Sequence, residues 1–330
     1  MKPFHIGNFE IAPGGRQTIE LPISVLANNT PISLPIHVIH GAKPGPVFFI
    51  SGVVHGDEIL GVEIVRRVVT HRALSEISGT LLAVPIVNAF GFLNHSRYMP
   101  DRRDLNRSFP GSDRGSLASL LADLFMKEVV LRAQYGIDLH TAALHRSNLP
   151  QIRIAPDEPE LLKLAKSFRP PVILVSKLRD GTLRQCARDV GVKVLLYEAG
   201  EALRFDEVAI ETGVAGILNV LTSLKMISHE TVVKKPSAIS QSSSWLRAPE
   251  GGILRSSFAT GTHVSQGQSL GEISSPLGDL SVSVIAEDDG IIVGRTNLPI
   301  VNRGDALFHV ARMKKSDLVQ APLFDEDEII

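Results

Sequence analysis

The chain is poor in the features that mark secreted and membrane proteins. Its 330 residues hold one cysteine, Cys186, so no intrachain disulfide can form and a reducing, cytoplasmic setting is expected. No segment approaches the roughly 18 consecutive apolar residues of a membrane span, and the opening MKPFHIGNFEIAPGG lacks the apolar core of a signal peptide. Charge of one sign is missing too. Lys plus Arg number 34 against 35 Asp plus Glu, a formal net charge of −1, which points to neither nucleic acid nor an anionic membrane as partner. The one conspicuous charge run, the acidic residues 325–328, reads as a solvated end. What remains is a chain long enough to bury a large core in roughly two domains. A homo-oligomer is compatible with it.

The chain is organised around residues 46–67, PVFFISGVVHGDEILGVEIVRR. The apolar run 47–54 is too short for a helix and reads as a strand buried on both faces. After the corner His55-Gly56-Asp57-Glu58, apolar residues recur at helical spacing from Ile59 to Val69. His55 and Glu58 are thereby predicted at the carboxyl end of a central strand, the edge of an open α/β sheet where ligands bind. A His and a Glu on a turn stiffened by a helix can aim a nitrogen and an oxygen at one metal ion. Asp57 and Glu58 are equally explicable as first-turn acids favoured by the helix dipole.

Strands are expected over 19–25, 32–39, 47–54 and 80–86, with the helix between the last two making a βαβ unit and a mixed, largely parallel sheet flanked by helices. The periodicity dissolves over 88–114, a length at which loops in compact domains are usually functional. Helical patterns follow at 117–132, 182–190 and 205–226, and short strands at 135–140, 172–175 and 192–197, an α/β layer architecture. Residues 1–227 are read as this domain and the Ser/Lys/Pro-rich 228–244 as a linker. From 245 to 330 the signal is all-β and duplicated. Each half carries a Gly-led strand and then Val-x-x-Gly-x-x-Leu, at Val264 to Leu270 and at Val301 to Leu307. That duplication resembles the biotinyl/lipoyl-type barrel-sandwich. The hairpin between the halves, near 274–279, has no lysine to carry a prosthetic group, so a carrier role is not expected.

A second histidine, His140 in GIDLHT, falls where another strand should end. Two imidazoles and one carboxylate on one sheet edge leave a fourth position open, the catalytic rather than the structural pattern for zinc. Asp138 is placed either to orient a ligand or to cap backbone. The long loop, SRYMPDRRDLNRSFPG, packs four arginines beside Asn106, and guanidinium groups bind carboxylates and stabilise oxyanions. A solvated loop with Arg–Asp pairs accounts for Arg102 and Arg103 but less well for Asn106 and Arg107, which directly precede an aromatic-Pro-Gly turn.

The pieces HGDE, DLNRSFPG, DLHT and LLYEAGE, in this order over about residues 40–225, resemble the succinylglutamate desuccinylase/aspartoacylase family of zinc carboxypeptidase-like hydrolases. The resemblance implies that His55, Glu58 and His140 hold one Zn2+, that Asn106 and Arg107 hold a substrate α-carboxylate, and that Glu198 is the general base. It implies that Arg97 polarises the scissile carbonyl, with Arg103 as rival because the spacing from Arg97 to Asp104 is longer than the family's shorter versions. Arg146 and Arg153 could reach a second substrate carboxylate or lie on the surface; His145 and His263 are read as incidental and Tyr197 as a packing residue. The expected activity is hydrolysis of the amide of an N-acyl amino acid or related small carboxylate-bearing amide. The alternatives are a carboxypeptidase-like peptidase on the same scaffold and a non-catalytic module binding a partner through the β-domain, which is expected as a cover over the site's mouth.

Overall fold

The structure, a computed structural model, describes residues 1–230 and 236–313. A small hairpin, β1 (Phe4–Ile6) and β2 (Phe9–Ile11), precedes the long antiparallel pair β3 (Arg16–Val25) and β4 (Pro31–His40). Then come β5 (Lys43–Gly52), α1 (Leu60–Thr70), β6 (Ser78–Val84), the short α2 (Ala89–Leu93) and α3 (Leu117–Glu128). The chain continues through β7 (Tyr135–Ala142), β8 (Arg146–Ile154), α4 (Pro159–Phe168), β9 (Val172–Val175), α5 (Leu183–Asp189), β10 (Lys193–Glu201) and α6 (Glu207–Ser223). β6, β5, β7 and β10 lie side by side and parallel, the βαβ arrangement expected; β4 and β8 flank them antiparallel, so the sheet is mixed.

Side-chain alternation divides the core. From β5, Phe48 and Ile50 join the cluster under α1, α4 and α6, while Phe49 between them joins the cluster under α3 and α5. β6 splits likewise, Leu81 and Ala83 to the first face and Leu82 and Val84 to the second. Coverage of both faces is why these strands read as continuous apolar runs. α1 follows its spacing, burying Leu60, Ile64, Val65 and Val68.

Several elements escape the sequence pattern, among them α2, which lies in the stretch 88–114 read as loop, and also β8 and α4. β8 carries Arg146, Asn148, Pro150, Gln151 and Arg153, a composition that hides a strand, yet Gln151 is fully buried. α4 is short and opens on Pro159 with no side-chain cap at Glu158.

Beyond α6 the described chain is all strand: β11 (Ala238–Ser240), β12 (Ser243–Arg247), β13 (Gly252–Arg255), β14 (His263–Val264), β15 (Ser269–Ser274), β16 (Ser281–Ile285), β17 (Gly290–Thr296), β18 (Ile300–Val301) and β19 (Ala306–Arg312). The expected linker 228–244 needs correcting. Its residues 238–240 pair in parallel with β9 and residue 243 opens β12, while 231–235 lie outside the described residues, as does the acidic run 325–328. The duplication appears as exchanged pairing. β13 pairs β15 as β17 pairs β19, and each half lends its two-residue strand to the other, β18 to β13 and β14 to β17. β16 pairs β15 and β12 pairs β19, again across the halves. The outer edge of β8 is shared: residues 151–154 pair β9, and residues 146–148 pair β17. Through that seam the strands β17, β19 and β12 continue the main sheet, which reaches 13 strands.

Candidate functional site

Beyond the end of β5 the chain breaks sharply. Val53, buried and β-branched, sits at φ 57, in the left-handed region such residues avoid. Backbone bonds hold the break: Val87 N–H donates to Gly52 O and Asn88 N–H to Val53 O. The following corner presses on α2, where a Cβ on Gly56 would stand 2.0 Å from the Gly91 carbonyl carbon. His55 and Glu58 are thus fixed by strand, corner and helix together, and both are buried.

His140, near the end of β7, completes the group. The ligand-type atoms of His55, Glu58 and His140 all lie within 4.8 Å of one another. Both imidazoles turn Nδ1 inward, His55 at 2.7 Å from Glu58 Oε1 and His140 at 2.6 Å from Glu58 Oε2. Both turn Nε2 outward to a carboxylate, His55 to Asp104 at 3.2 Å and His140 to Asp138 at 2.7 Å. Asp138 is steadied in turn by Ser51 Oγ–H at 2.8 Å, and Asp104 accepts from Asn106 N–H. An outer carboxylate on each ligating histidine fixes the tautomer that presents a lone pair inward. Asp138 thus bonds the His140 ring, the contact that the first of its two readings requires; Asp104, 49 residues from His55, has no sequence signal for its part beyond lying in DLNR.

The electrostatics of the group fit a cation. Burial alone would raise the Glu58 pKa, but the two imidazoles hold it well below the ordinary carboxylate range. Burial would lower both histidines; Glu58 with Asp104, and Asp138 with Glu58, raise them instead, His140 well above its ordinary value. The two imidazoles and the carboxylate thus form a donor set that could hold a metal cation. Two imidazole nitrogens and a carboxylate suit zinc among the divalent ions.

The site opens into a cavity of about 390 Å³. Arg97, Asn106, Arg107 and Glu198 line it. Arg97 donates to Asp104 at 2.9 Å and reaches Glu58 at 3.4 Å; Arg103 is exposed near Asp101 and does not line the cavity. The side chain of Asn106 accepts from Leu183 N–H at 2.9 Å, capping α5 and leaving Nδ2 as its donor. Arg107 is braced on Asn106 O at 2.6 Å. Glu198 stands at a β-bulge of β10, where the register to both neighbours shifts before Gly200, itself at φ 67. Its Oε2 accepts from Asn148 Nδ2 at 2.7 Å, and Arg153 lies 3.5 Å from Oε1.

Other expectations resolve simply. Tyr197 is buried and donates to Ala209 O at 2.6 Å; His145 and His263 take no part in the metal group. Several lining residues had not been singled out, among them Asn148, Lys177, Arg179 and Trp245, and also Ser176 and Arg184, each with a buried polar atom that lacks a partner among the described residues. Burial, with Arg153 adding repulsion, pulls the Arg184 guanidinium down to about 10, leaving a desolvated cation in the wall. Among the described residues no helix is long and apolar enough to cross a membrane.

The chain is 25% identical over 299 residues to N-alpha-acetyl-L-2,4-diaminobutyric acid deacetylase of Halomonas elongata, covering 86% of this chain and 87% of that protein. The crystal structure of a succinylglutamate desuccinylase/aspartoacylase from Rhodobacter sphaeroides matches with a TM-score of 0.79 at 26% identity, over 91% of this chain and 96% of the other. The product-bound ectoine utilization protein EutE (DoeB) from Ruegeria pomeroyi shares the fold with a TM-score of 0.81 at 21% identity, over 90% and 95% of the two chains. The sequence model of the succinylglutamate desuccinylase/aspartoacylase catalytic domain spans residues 44–224, more than half of the 330, and the chain belongs to that family.

Proposed function

We propose that the protein is a zinc-dependent amidohydrolase that removes the acyl group from an N-acyl amino acid or a closely related small carboxylate-bearing amide. The observation that carries this reading is the His55–Glu58–His140 group sharing one cavity with Glu198, Asn106 and Arg107. The named activity of the Halomonas relative, a deacetylase of an N-acetylated amino acid, supports it. A cavity of about 390 Å³ suits a small substrate better than an extended peptide.

His55, Glu58 and His140 would hold the zinc, which when bound lowers the pKa of water and polarises a carbonyl. Glu198, buttressed by Asn148 and Arg153, takes a proton from the attacking water and returns it to the leaving amine. Arg97, tied to Asp104 but within reach of Glu58, donates to the developing oxyanion. Asn106 Nδ2 and Arg107 receive the α-carboxylate. The reading divides the chain into a hydrolase unit of residues 1–227 and a biotinyl/lipoyl-like unit of 245–330 that covers the mouth. The separate apolar cluster around Leu254, Leu270 and Leu307 supports the division, and Trp245 in the cavity wall supports the cover.

Two substitutions test the parts. Arg107→Ala is expected to raise KM about 10- to 100-fold for substrates with an α-carboxylate, the worth of one or two charged hydrogen bonds. An equal loss for amides lacking that carboxylate would remove the clamp role. Gly294→Ala acts from the seam, where a Cβ would stand 2.7 Å from Asn148 Oδ1 and push away the amide that holds Glu198. A fall in kcat of about tenfold is expected, the loss of one hydrogen bond to a charged group; unchanged kcat would mean that Asn148 does not position Glu198.

A further inference from the structure

Three buried polar atoms at the seam between β8 and the C-terminal strands have no partner among the described residues: Gln151 Oε1, Arg153 Nε and His309 Nδ1. Buried polar atoms are nearly always bonded, to protein or to ordered water. Gln151 and Arg153 stand two apart on one face of β8, and Arg153 reaches to 3.5 Å from Glu198 Oε1. Gln151 crosses the seam, its Nε2–H donating to Val293 O at 3.1 Å. The next residue, Gly294, lies directly opposite His309 on β19. A Cβ on Gly294 would meet Asn148 Oδ1 at 2.7 Å and His309 Cβ at 3.3 Å, so the bare glycine sets His309 beside the amide that holds Glu198.

His309 is mounted firmly from its other side. Its ring stacks on Trp245, directly opposite on β12, at 4.8 Å and 8°, and its Nε2 lies 2.8 Å from Ser243 Oγ. Burial and the nearby Arg153 pull its pKa down to about 3, so it stays neutral and carries a single N–H. With that hydrogen on Nε2, donated to Ser243, Nδ1 is an acceptor. Gln151 Oε1 is a second acceptor, and the Arg153 Nε–H is a donor. One donor and two acceptors are the complement of a single water molecule, and buried waters make about three hydrogen bonds.

We propose that His309 is a positioning residue for the general base: through one buried water shared with Gln151 Oε1 and the Arg153 Nε–H, it keeps the Arg153 guanidinium turned to Glu198. This rests on the reading of Glu198 as the base. The C-terminal strands then act on the reaction itself, with Trp245 and Ser243 as the mount of the imidazole.

The test compares the full chain with His309→Gln, His309→Asn and Arg153→Met. Glutamine puts its polar end where Nε2 lies and loses Nδ1, whereas asparagine puts an oxygen where Nδ1 lies. His309→Gln is expected to lower kcat about tenfold, with KM and metal content little changed, and His309→Asn to keep most of the activity. Releasing Arg153 takes away one of two cations whose charge acts on Glu198, the other being Arg184. The acid limb of the kcat profile should therefore move to higher pH in His309→Gln and in Arg153→Met. With Arg153→Met already present, His309→Gln should cost nothing further. Wild-type kcat in His309→Gln, or a loss that adds in full to that of Arg153→Met, would overturn the proposal. Crystal structures of the wild type and of His309→Gln need no turnover. A water bonded to all three atoms, with Arg153 swung away from Glu198 in the variant, upholds the positioning even if no N-acyl amino acid is hydrolysed. Three atoms without a shared water, or Arg153 unmoved in the variant, refutes it and leaves the amidohydrolase reading intact.

Discussion

Replacing Glu198 by glutamine is expected to lower kcat by about 10²- to 10⁴-fold, the usual contribution of a positioned general acid–base group. Shape and size are conserved in that exchange, and Asn148 Nδ2, now 2.7 Å from Oε2, can still donate to the amide oxygen. What disappears is the ability to take a proton and give it to the leaving amine. Metal content and KM are expected to change little, since Glu198 is outside the His55–Glu58–His140 group. Pre-steady-state and steady-state assays on the variant, with metal analysis of the same preparation, check this. Full turnover would mean that the proton moves elsewhere; turnover lost together with the metal would make Glu198 structural.

Stripping the metal with a chelator is expected to abolish turnover and to lower the melting temperature. A ligand at 1,000 times its dissociation constant stabilises the folded state by about 4 kcal/mol, enough to shift the transition by several degrees in a chain of this size. The shift should depend on pH in a definite direction. In the bare site both imidazoles are raised above their ordinary 6.5, so their contribution to stability is complete below that value and is lost as pH rises through the folded values. Glu58 is depressed, so its contribution is present above the ordinary carboxylate range and is lost only in strong acid. The bare protein is therefore best supported from mildly acid pH up to the raised histidine values, above which that support fades. Metal must displace the imidazole protons, so its affinity climbs over the interval in which pH rises through the raised histidine values. The gain in melting temperature on adding zinc should grow over that interval. A gain that is flat or shrinks with pH would contradict the inward Nδ1 geometry.

Much of this site was legible in the residues. HGDE announces itself because it follows a strand whose apolar run is continuous, and continuity marks strands covered on both faces; DLHT is read from the end of the short strand that carries it, although Asp138 and His140 interrupt its apolar residues. The same rule explains what was hidden. β8 is buried but lines the cavity with polar side chains, so Asn148 and Arg153, which flank Glu198, sit in a run that reads as loop. Asp104 is visible only as part of DLNR. Its bond to His55 crosses the whole βαβ unit, and no local spacing encodes it. Arg184 lies in a segment whose helical periodicity was plain, but periodicity cannot say that its guanidinium is left without a full set of partners. Trp245 is subtler still. It enters the cavity because β17, β19 and β12 continue the main sheet from the first half of β8, a seam between residues about 150 apart. The duplicated halves were evident from their repeated Val-x-x-Gly-x-x-Leu; the exchange of short strands between them is a property of pairing alone.

The most direct test of the central claim is the metal content of the purified full-length protein, measured beside acyl release from a panel of N-acetyl and N-succinyl amino acids. About one zinc per chain, lost in His140→Ala, with release from a member of the panel, is the expected result. A protein that binds no metal even after reconstitution, with turnover unaffected by chelators, would contradict it.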